Sequence, residues 1–252
     1  MPNLNVGSLS SISIILPCYN ERENLVELIG CIDKLFDSPF TCEMIVVDDN
    51  SKDGTYDAVC ALSNKRVKAI LRKAEPSLAG SILDGILAST GEIIVVMDTD
   101  FNHDPKYLPF MVDNIKYWDC VTGSRFQYGG GMESESRTIF SWIFNVFTRV
   151  ATGGKVTDNL YGYYAIKRST LFENNLLRPE IFSGYGNYFI KLMFYLQRLN
   201  ITILQFPALN GLRRYGQGNT KFIGVLLQYT MDVLKLTFRD RVFAHVQKNR
   251  KL

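Results

Sequence analysis

The chain lacks any uninterrupted apolar stretch near the roughly 20 residues that a membrane-spanning helix requires. A segment that crosses a bilayer is therefore not expected, though a face that lies on one stays open. Residues 1–11 are polar and carry no basic n-region, so no secretory leader is read there. Net charge is small as well. At +3 it gives no signature of polyanion binding, and nucleic acid is not an expected partner. The charge is uneven, however: residues 213–252 hold nine Lys/Arg against Asp232 and Asp240. Such an end can face phosphates or an anionic membrane, although the last ten residues read as a solvated face and tail. Cysteine is sparse and odd in number, with Cys18, Cys31, Cys42, Cys60 and Cys120 and no zinc-ligand spacing. These read as reduced core thiols of a cytosolic protein. Internal repeats and low-complexity linkers are missing. Asp and Glu are absent from residues 181–231.

What is present is an alternation of short apolar runs and amphipathic segments. The 252 residues suffice for one large domain or two small ones. Residues 12–16 read as a strand ended by Pro17. Residues 21–36 have helical periodicity, with Leu25, Leu28, Ile29, Ile32, Leu35 and Phe36 on one face. Strands are expected again at 44–47, 67–71 and 93–97, with helices at 56–64 and 78–89 between them. The runs are continuous rather than alternating, as in strands buried on both faces. Their β-α-β-α-β-α-β order predicts an α/β fold, a parallel sheet flanked by helices. Farther on, Asp104-Pro105 has the form of an N-cap followed by Pro in the first helical position. Residues 120–123, 163–167 and 201–206 read as strands. Residues 189–199 and 222–238 read as helices, and 138–151 is an aromatic-rich segment.

Asp98-Thr99-Asp100 stands at the end of the fourth apolar run. Two carboxylates one residue apart at a strand's carboxyl end can reach one hard divalent cation. Mg²⁺ or Mn²⁺ held this way keeps positions for water and substrate phosphates. Strand ends are also where open α/β sheets hold their ligands. The tripeptide alone decides little, because surface loops contain Asp-x-Asp by chance. Three further polar clusters follow other runs. They are Pro17-Cys18-Tyr19-Asn20-Glu21, then Asp48-Asp49-Asn50-Ser51 with Asp53-Gly54-Thr55, then Gly123-Ser124-Arg125. Each has a plain reading as a helix start or a turn. In a parallel sheet they all converge on one edge.

Taken in order, these segments carry Pro-x-Tyr-Asn-Glu, Val-Val-Asp-Asp-x-Ser-x-Asp-Gly-Thr, Thr-Gly-Glu-Ile-Ile-Val-Val-Met-Asp-x-Asp-x-x-His-x-Pro and Gly-Ser-Arg. The set resembles the family 2 glycosyltransferases of GT-A fold, and within them the dolichol-phosphate (polyprenyl-phosphate) mannosyltransferase group. The resemblance covers about residues 11–240. It implies one GT-A domain over 11–240, with a nucleotide-sugar half (11–125) and an acceptor half (126–240), between a tail (1–10) and a basic tail (241–252). It also implies that Pro17, Tyr19, Glu21, Val47 and Asp49 hold the nucleoside. Asp98 and Asp100 would hold Mg²⁺ or Mn²⁺ on the diphosphate. Thr99 would lie beside it, and Asn102, in place of a frequent Gln, would add a ligand. Arg125, Arg137 and Ser141 match positions that clamp a lipid phosphate, and Arg137 and Ser141 share a helix face. Residues 213–221 resemble the family's Arg-x-x-Gly-x-Ser-Lys loop with two extra residues. Either Arg213 or Arg214 therefore takes the Arg place, with Lys221 at the end of a loop that closes over the phosphates. Catalysis would rest on Asp98, Asp100, Arg125 and Arg214.

The chain departs from the family at three places. Residues 77–80 stand where Gly-Leu-Gly is usual, residues 158–164 lack the Arg of a Ser/Thr-Gly-Phe-Arg pattern, and residues 187–191 lack a frequent Glu. These changes bear on the donor sugar and the acceptor.

The carboxylate-free stretch bears on mechanism. A sugar hydroxyl needs a base to take its proton, whereas a phosphate monoester is already anionic at neutral pH. A phosphate acceptor needs cations instead, and Arg125, Arg137, Lys191, Arg213, Arg214 and Lys221 are at hand. A base supplied by Asp158 or Glu133 stays open at this point. The expected activity is an inverting transfer of a hexose from GDP-mannose or a UDP-hexose to a polyprenyl phosphate. Residues 138–151 and 222–238 are each either an interfacial helix or an ordinary packing helix. The expected location is cytoplasmic and peripheral, at the cytosolic face of a membrane, where a membrane-anchoring partner subunit is a further candidate. The alternatives are transfer to a sugar hydroxyl and a catalytically silent nucleotide-sugar-binding subunit.

Overall fold

The structure, a computed structural model, describes residues 11–36, 42–211, 214–215 and 222–249, with side chains of the last segment described over 224–238. Strands β1 (Ile12–Cys18), β2 (Cys42–Asp48), β3 (Val67–Leu71), β4 (Ile93–Val96), β5 (Cys120–Ser124), β6 (Tyr164–Lys167) and β7 (Ile203–Pro207) form one sheet. Its order is β3-β2-β1-β4-β6-β5-β7. The α/β, mostly parallel sheet expected from the apolar runs is present. Only β6 runs antiparallel, to both β4 and β5. Its chain arrives at the edge where β4 and β5 end, so it can enter the sheet only in the opposite direction.

Successive strand side chains point to opposite faces, and both faces are covered. Ile14, Leu16, Met44, Val46 and Val95 pack with α1 (Arg22–Leu35) and α4 (Leu108–Asn114) through Leu25, Leu28, Ile32, Leu108 and Met111. On the other face Ile15, Ile45, Val47, Ile94 and Val96 meet α3 (Leu78–Ala88) and α7 (Asn187–Arg198). Two-sided burial is the physical reason for runs without alternation. The approach of α3 is close: a Cβ on Gly85 would overlap Ile15. A third cluster joins α5 (Glu135–Thr152), α7 and α8 (Phe222–Asn249) through Phe144, Ile190, Phe194, Tyr229, Val233 and Leu236.

Local signals mark the element ends. Ser77 and Ser134 accept hydrogen bonds from Gly80 N and Arg137 N and so cap α3 and α5. Asp104 caps not an α-helix but a 3-10 turn, Pro105–Tyr107, which runs on into α4. Two short helices, α2 (Thr55–Ala61) and α6 (Arg168–Glu173), complete the flanks. From β1 the chain builds outward through β2 and β3, then β4 returns to the other side of β1. The carboxyl ends of β1 and β4 therefore border a topological switch point, where open sheets leave a crevice.

Candidate active site

The loops after β1 and β2 are tied to one another. Asn20 N donates to Ser51 Oγ at 2.8 Å, Lys52 N to Asn20 Oδ1 at 2.8 Å, and Glu21 N to Thr55 Oγ1 at 3.2 Å. Asp53 receives Thr55 N, Thr55 Oγ1 and Arg22 N. Burial works to raise the Asp53 carboxyl, but these bonds outweigh it and the group ends below its ordinary value. Tyr19, the residue after β1, is half exposed. Asp49 is held rigidly: it pairs with Arg72, the residue after β3, and accepts Ser77 N. Arg72 Nε also reaches Asp84 at 2.7 Å. Val47 is wholly buried in the cluster that packs α3. Its side chain packs in the core, so a contact to a nucleoside would come from its backbone.

The carboxylate pair lies on a tightly built turn. Thr99 Oγ1 donates to the Pro17 carbonyl at 3.3 Å, across the switch point from β4 to β1. Asp98 is half exposed while Asp100 is buried. Asn102 donates to Asp100 twice, from N at 3.1 Å and from Nδ2 at 2.7 Å. Phe101 takes the left-handed backbone region at φ 67° that lets the turn close. His103 is buried beneath, with Nδ1 on Asp98 N and Nε2 on Tyr161 O, both at 2.8 Å. Burial pushes its pKa down to about 4, against the pull of Asp100, so the imidazole is neutral at pH 7.

The segment after β7 comes back over this turn. Gly211 N donates to the Asn102 carbonyl at 2.9 Å, and Asn210 Nδ2 to Asn102 Oδ1 at 3.3 Å. Asn102 therefore fastens Asp100 on one side and the returning chain on the other. Arg214 sits 4.0 Å from the centroid of the Phe101 ring and pairs with Glu27 of α1. Asn24 of α1 clasps the backbone of Tyr215 through both its amide atoms and also donates to Glu21 at 2.7 Å. Arg213 and Lys221, the other expected cations of this segment, lie outside the described residues.

After β5 the Arg125 side chain, 9% exposed, is bound to Asp158, Nε to Oδ2 at 2.7 Å and Nη2 to Oδ1 at 2.8 Å. Burial works to lower the guanidinium pKa, but Asp158 holds it above its ordinary value. Nη2 also donates to Ser141 Oγ at 3.4 Å, so two of the three expected phosphate ligands touch. Arg137 lies one turn before Ser141 on α5 and is exposed. Asn145, a turn after Ser141, donates to Asp158 and accepts Asn159 N at 2.6 Å. Lys191 is not an open cation: it is buried against Asp232 of α8 and Ser183.

Among the described residues no three His, Cys, Asp or Glu side chains converge as a metal cage. The oxygen donors present are Asp98 and Asp100, which suit a hard divalent cation that keeps waters and takes substrate phosphates as its remaining ligands. The donor set therefore fits Mg²⁺ or Mn²⁺ completed by a diphosphate, with Asn102 bracing Asp100.

Residues 13–174 match the family model described as glycosyl transferase family 2. The chain belongs to this family. It is 32% identical over 216 residues to a dolichol-phosphate mannosyltransferase of Pyrococcus furiosus, covering 83% of this chain and 59% of that one. It is 32% identical over 200 residues to an undecaprenyl-phosphate mannosyltransferase of Micrococcus luteus, covering 77% and 80%. Among solved structures, it resembles the glucosyl-3-phosphoglycerate synthase of Mycobacterium tuberculosis crystallised with Mn²⁺, uridine-diphosphate and phosphoglyceric acid. The TM-score is 0.69 at 21% identity, covering 90% of this chain and 78% of that one. That likeness establishes the GT-A-like fold. The chain spans 59% of the length of the Pyrococcus relative.

For this family 2 member, sequence reasoning missed Arg72, Asn24 and the bracing role of His103. Arg72 directly follows the third apolar run, at the edge that carries Asp49, and that position was the available signal. His103 is the His of the Asp-x-Asp-x-x-His segment, and its spacing from the pair was the signal for it. Nothing local points from Asn24 to Tyr215, which is 191 residues away.

Proposed function

We propose that the protein is an inverting glycosyltransferase that moves a hexose from a nucleotide diphosphate sugar to a polyprenyl phosphate at a membrane surface. One observation carries the choice of acceptor. Asp158, the buried carboxylate on the acceptor side, is neutralised by Arg125, and His103 is neutral and doubly bound. Both are taken up by these partners, and Glu133, the other candidate base, stands exposed ahead of α5, so an acceptor that arrives already anionic fits best. The names of the curated relatives make mannose the first sugar to test.

In this reading the loops after β1 and β2 hold the nucleoside, with Asp49 oriented by Arg72. Asp98 and Asp100 face the diphosphate. A bound Mg²⁺ or Mn²⁺ supplies positive charge that stabilises the leaving diphosphate. Ser141 and the exposed Arg137 bring in the acceptor phosphate, with Arg125 held behind Ser141 by Asp158, and an oxygen of that phosphate attacks the anomeric carbon as the diphosphate oxygen departs. A single displacement inverts the linkage. Arg214, beside Phe101, adds charge for the leaving group.

The lipid has a surface to meet. Ile139, Phe140, Trp142, Ile143 and Val150 of α5 are each more than half exposed, as are Leu227, Met231 and Phe238 of α8. No described helix is long and apolar enough to cross a membrane. The two packed helices instead suit an interfacial position on the cytosolic face.

The test is incubation with radiolabelled GDP-mannose or UDP-glucose, a polyprenyl phosphate and Mn²⁺. Label is expected in an organic-extractable, mild-acid-labile product. Label found only in water-soluble oligosaccharide would replace the reading by transfer to a sugar hydroxyl. Donor binding without any turnover would leave a silent binding subunit.

A further inference from the structure

The sheet ladder between β4 and β6 stops at Val96 and Tyr164. Beyond it the strands splay apart, and the gap is filled by the imidazole of His103. Nδ1 receives the Asp98 amide at 2.8 Å, and an amide N–H can only donate. Nε2 lies 2.8 Å from the Tyr161 carbonyl, which can only accept. The ring is therefore the Nε2–H tautomer, with both nitrogens committed. It stacks on Tyr163 at 4.8 Å between centroids and meets the Tyr161 ring edge-on at 4.7 Å.

We propose that His103 is a positioning residue for the metal-binding carboxylates. The proposal rests on the reading of Asp98 and Asp100 as the cation's ligands. By binding the amide five residues before it, His103 closes the Asp98–His103 turn on itself. Asp100 lies within that closed turn and is braced by Asn102. The spacing of the two carboxylates is thus set from behind by this ring, whose Nε2 also lies 3.6 Å from Asp98 Oδ2. The Tyr161 bond anchors the same ring to the acceptor side, because Tyr161 also lies under the Arg125 guanidinium at 5.3 Å. One imidazole therefore fixes the donor carboxylates relative to the acceptor cation. Outer partners of this kind typically carry about 10–100-fold of metal affinity.

The test is Mn²⁺ binding in the presence of GDP or UDP, followed by electron paramagnetic resonance. Wild type, Asp100→Ala, His103→Phe and His103→Asn are compared, each with its thermal melt. Phe keeps the stacking on Tyr163 and loses both hydrogen bonds, whereas Asn keeps an oxygen for the Asp98 amide. The expected result is Mn²⁺ affinity about tenfold or more weaker in His103→Phe, with partial recovery in His103→Asn. Wild-type affinity in a cooperatively melting His103→Phe overturns the proposal and leaves a packing residue. If His103→Phe does not melt cooperatively, His103→Leu, which also lacks both hydrogen bonds, takes its place, and unchanged affinity there overturns the proposal equally. No Mn²⁺ binding by the wild type overturns the metal reading together with this one. Binding lost in Asp100→Ala but untouched in His103→Phe overturns this one alone.

Discussion

Asp158 accepts two parallel hydrogen bonds from Arg125, at 2.7 and 2.8 Å, from a position with no exposure to solvent. It also accepts Arg125 N at 3.1 Å and Leu160 N at 3.2 Å. A carboxylate bound on all sides fixes the orientation of the guanidinium. Removing it leaves a buried positive charge uncompensated. Asp158→Ala is expected to lose about 3–5 kcal/mol in urea denaturation. A loss under about 1 kcal/mol would place the pair with solvated ion pairs instead.

Gly211 sits where the chain returning from β7 crosses the carboxylate turn. A Cβ there would overlap the Phe101 carbonyl oxygen. Gly211→Ala should push the returning segment off Asn102 and disturb the brace on Asp100. The expected result is a kcat/KM for the nucleotide sugar lower by about 10–100-fold, with the sheet core intact by circular dichroism. Unchanged kinetics would show that the crossing is incidental to the site.

Ile139 and Ile143 lie four residues apart on the outer face of α5, 57% and 52% exposed. Full burial of one such side chain is worth about 1.5–3 kcal/mol. Ile139→Ser combined with Ile143→Ser is expected to weaken co-sedimentation with anionic lipid vesicles by at least about tenfold. Hydrolysis of the nucleotide sugar in the absence of lipid should be preserved. Equal sedimentation of variant and wild type would remove α5 from the membrane surface.

Glu43 staples the opposite edge of the sheet. It accepts Ser13 Oγ at 2.5 Å, Thr90 N at 2.6 Å and Thr90 Oγ1 at 2.9 Å, joining β2 to β1 and to the entry of β4. Partial burial works to raise its carboxyl, but these bonds outweigh it and bring it below its ordinary 4.5. A depressed carboxylate adds stability that is complete above pH 4.5 and is lost as pH falls through the folded value. Glu43→Gln should therefore lower the melting temperature at pH 7 and flatten its fall below pH 4.5. Parallel melting curves for the two proteins across the acid range would contradict this.

The sequence by itself determined the sheet's inner strands, the helices between them and the Asp98–Asp100 pair at a strand end. These are local signals: a run of four to seven buried residues, then punctuation. Four polar clusters at strand ends were legible for the same reason, since a parallel sheet brings such ends together. What the side chains do there was decided only by tertiary structure. Arg125 meets Asp158 from 33 residues away, and Thr99 meets Pro17 across 82. The insertion of β6 between β4 and β5, the burial of Val47 and the capture of Lys191 by Asp232 also depend on such long-range neighbours. Hydrophobic periodicity reports which residues leave water. Only the folded chain determines which charge a buried cation meets, and so which cations remain for a phosphate.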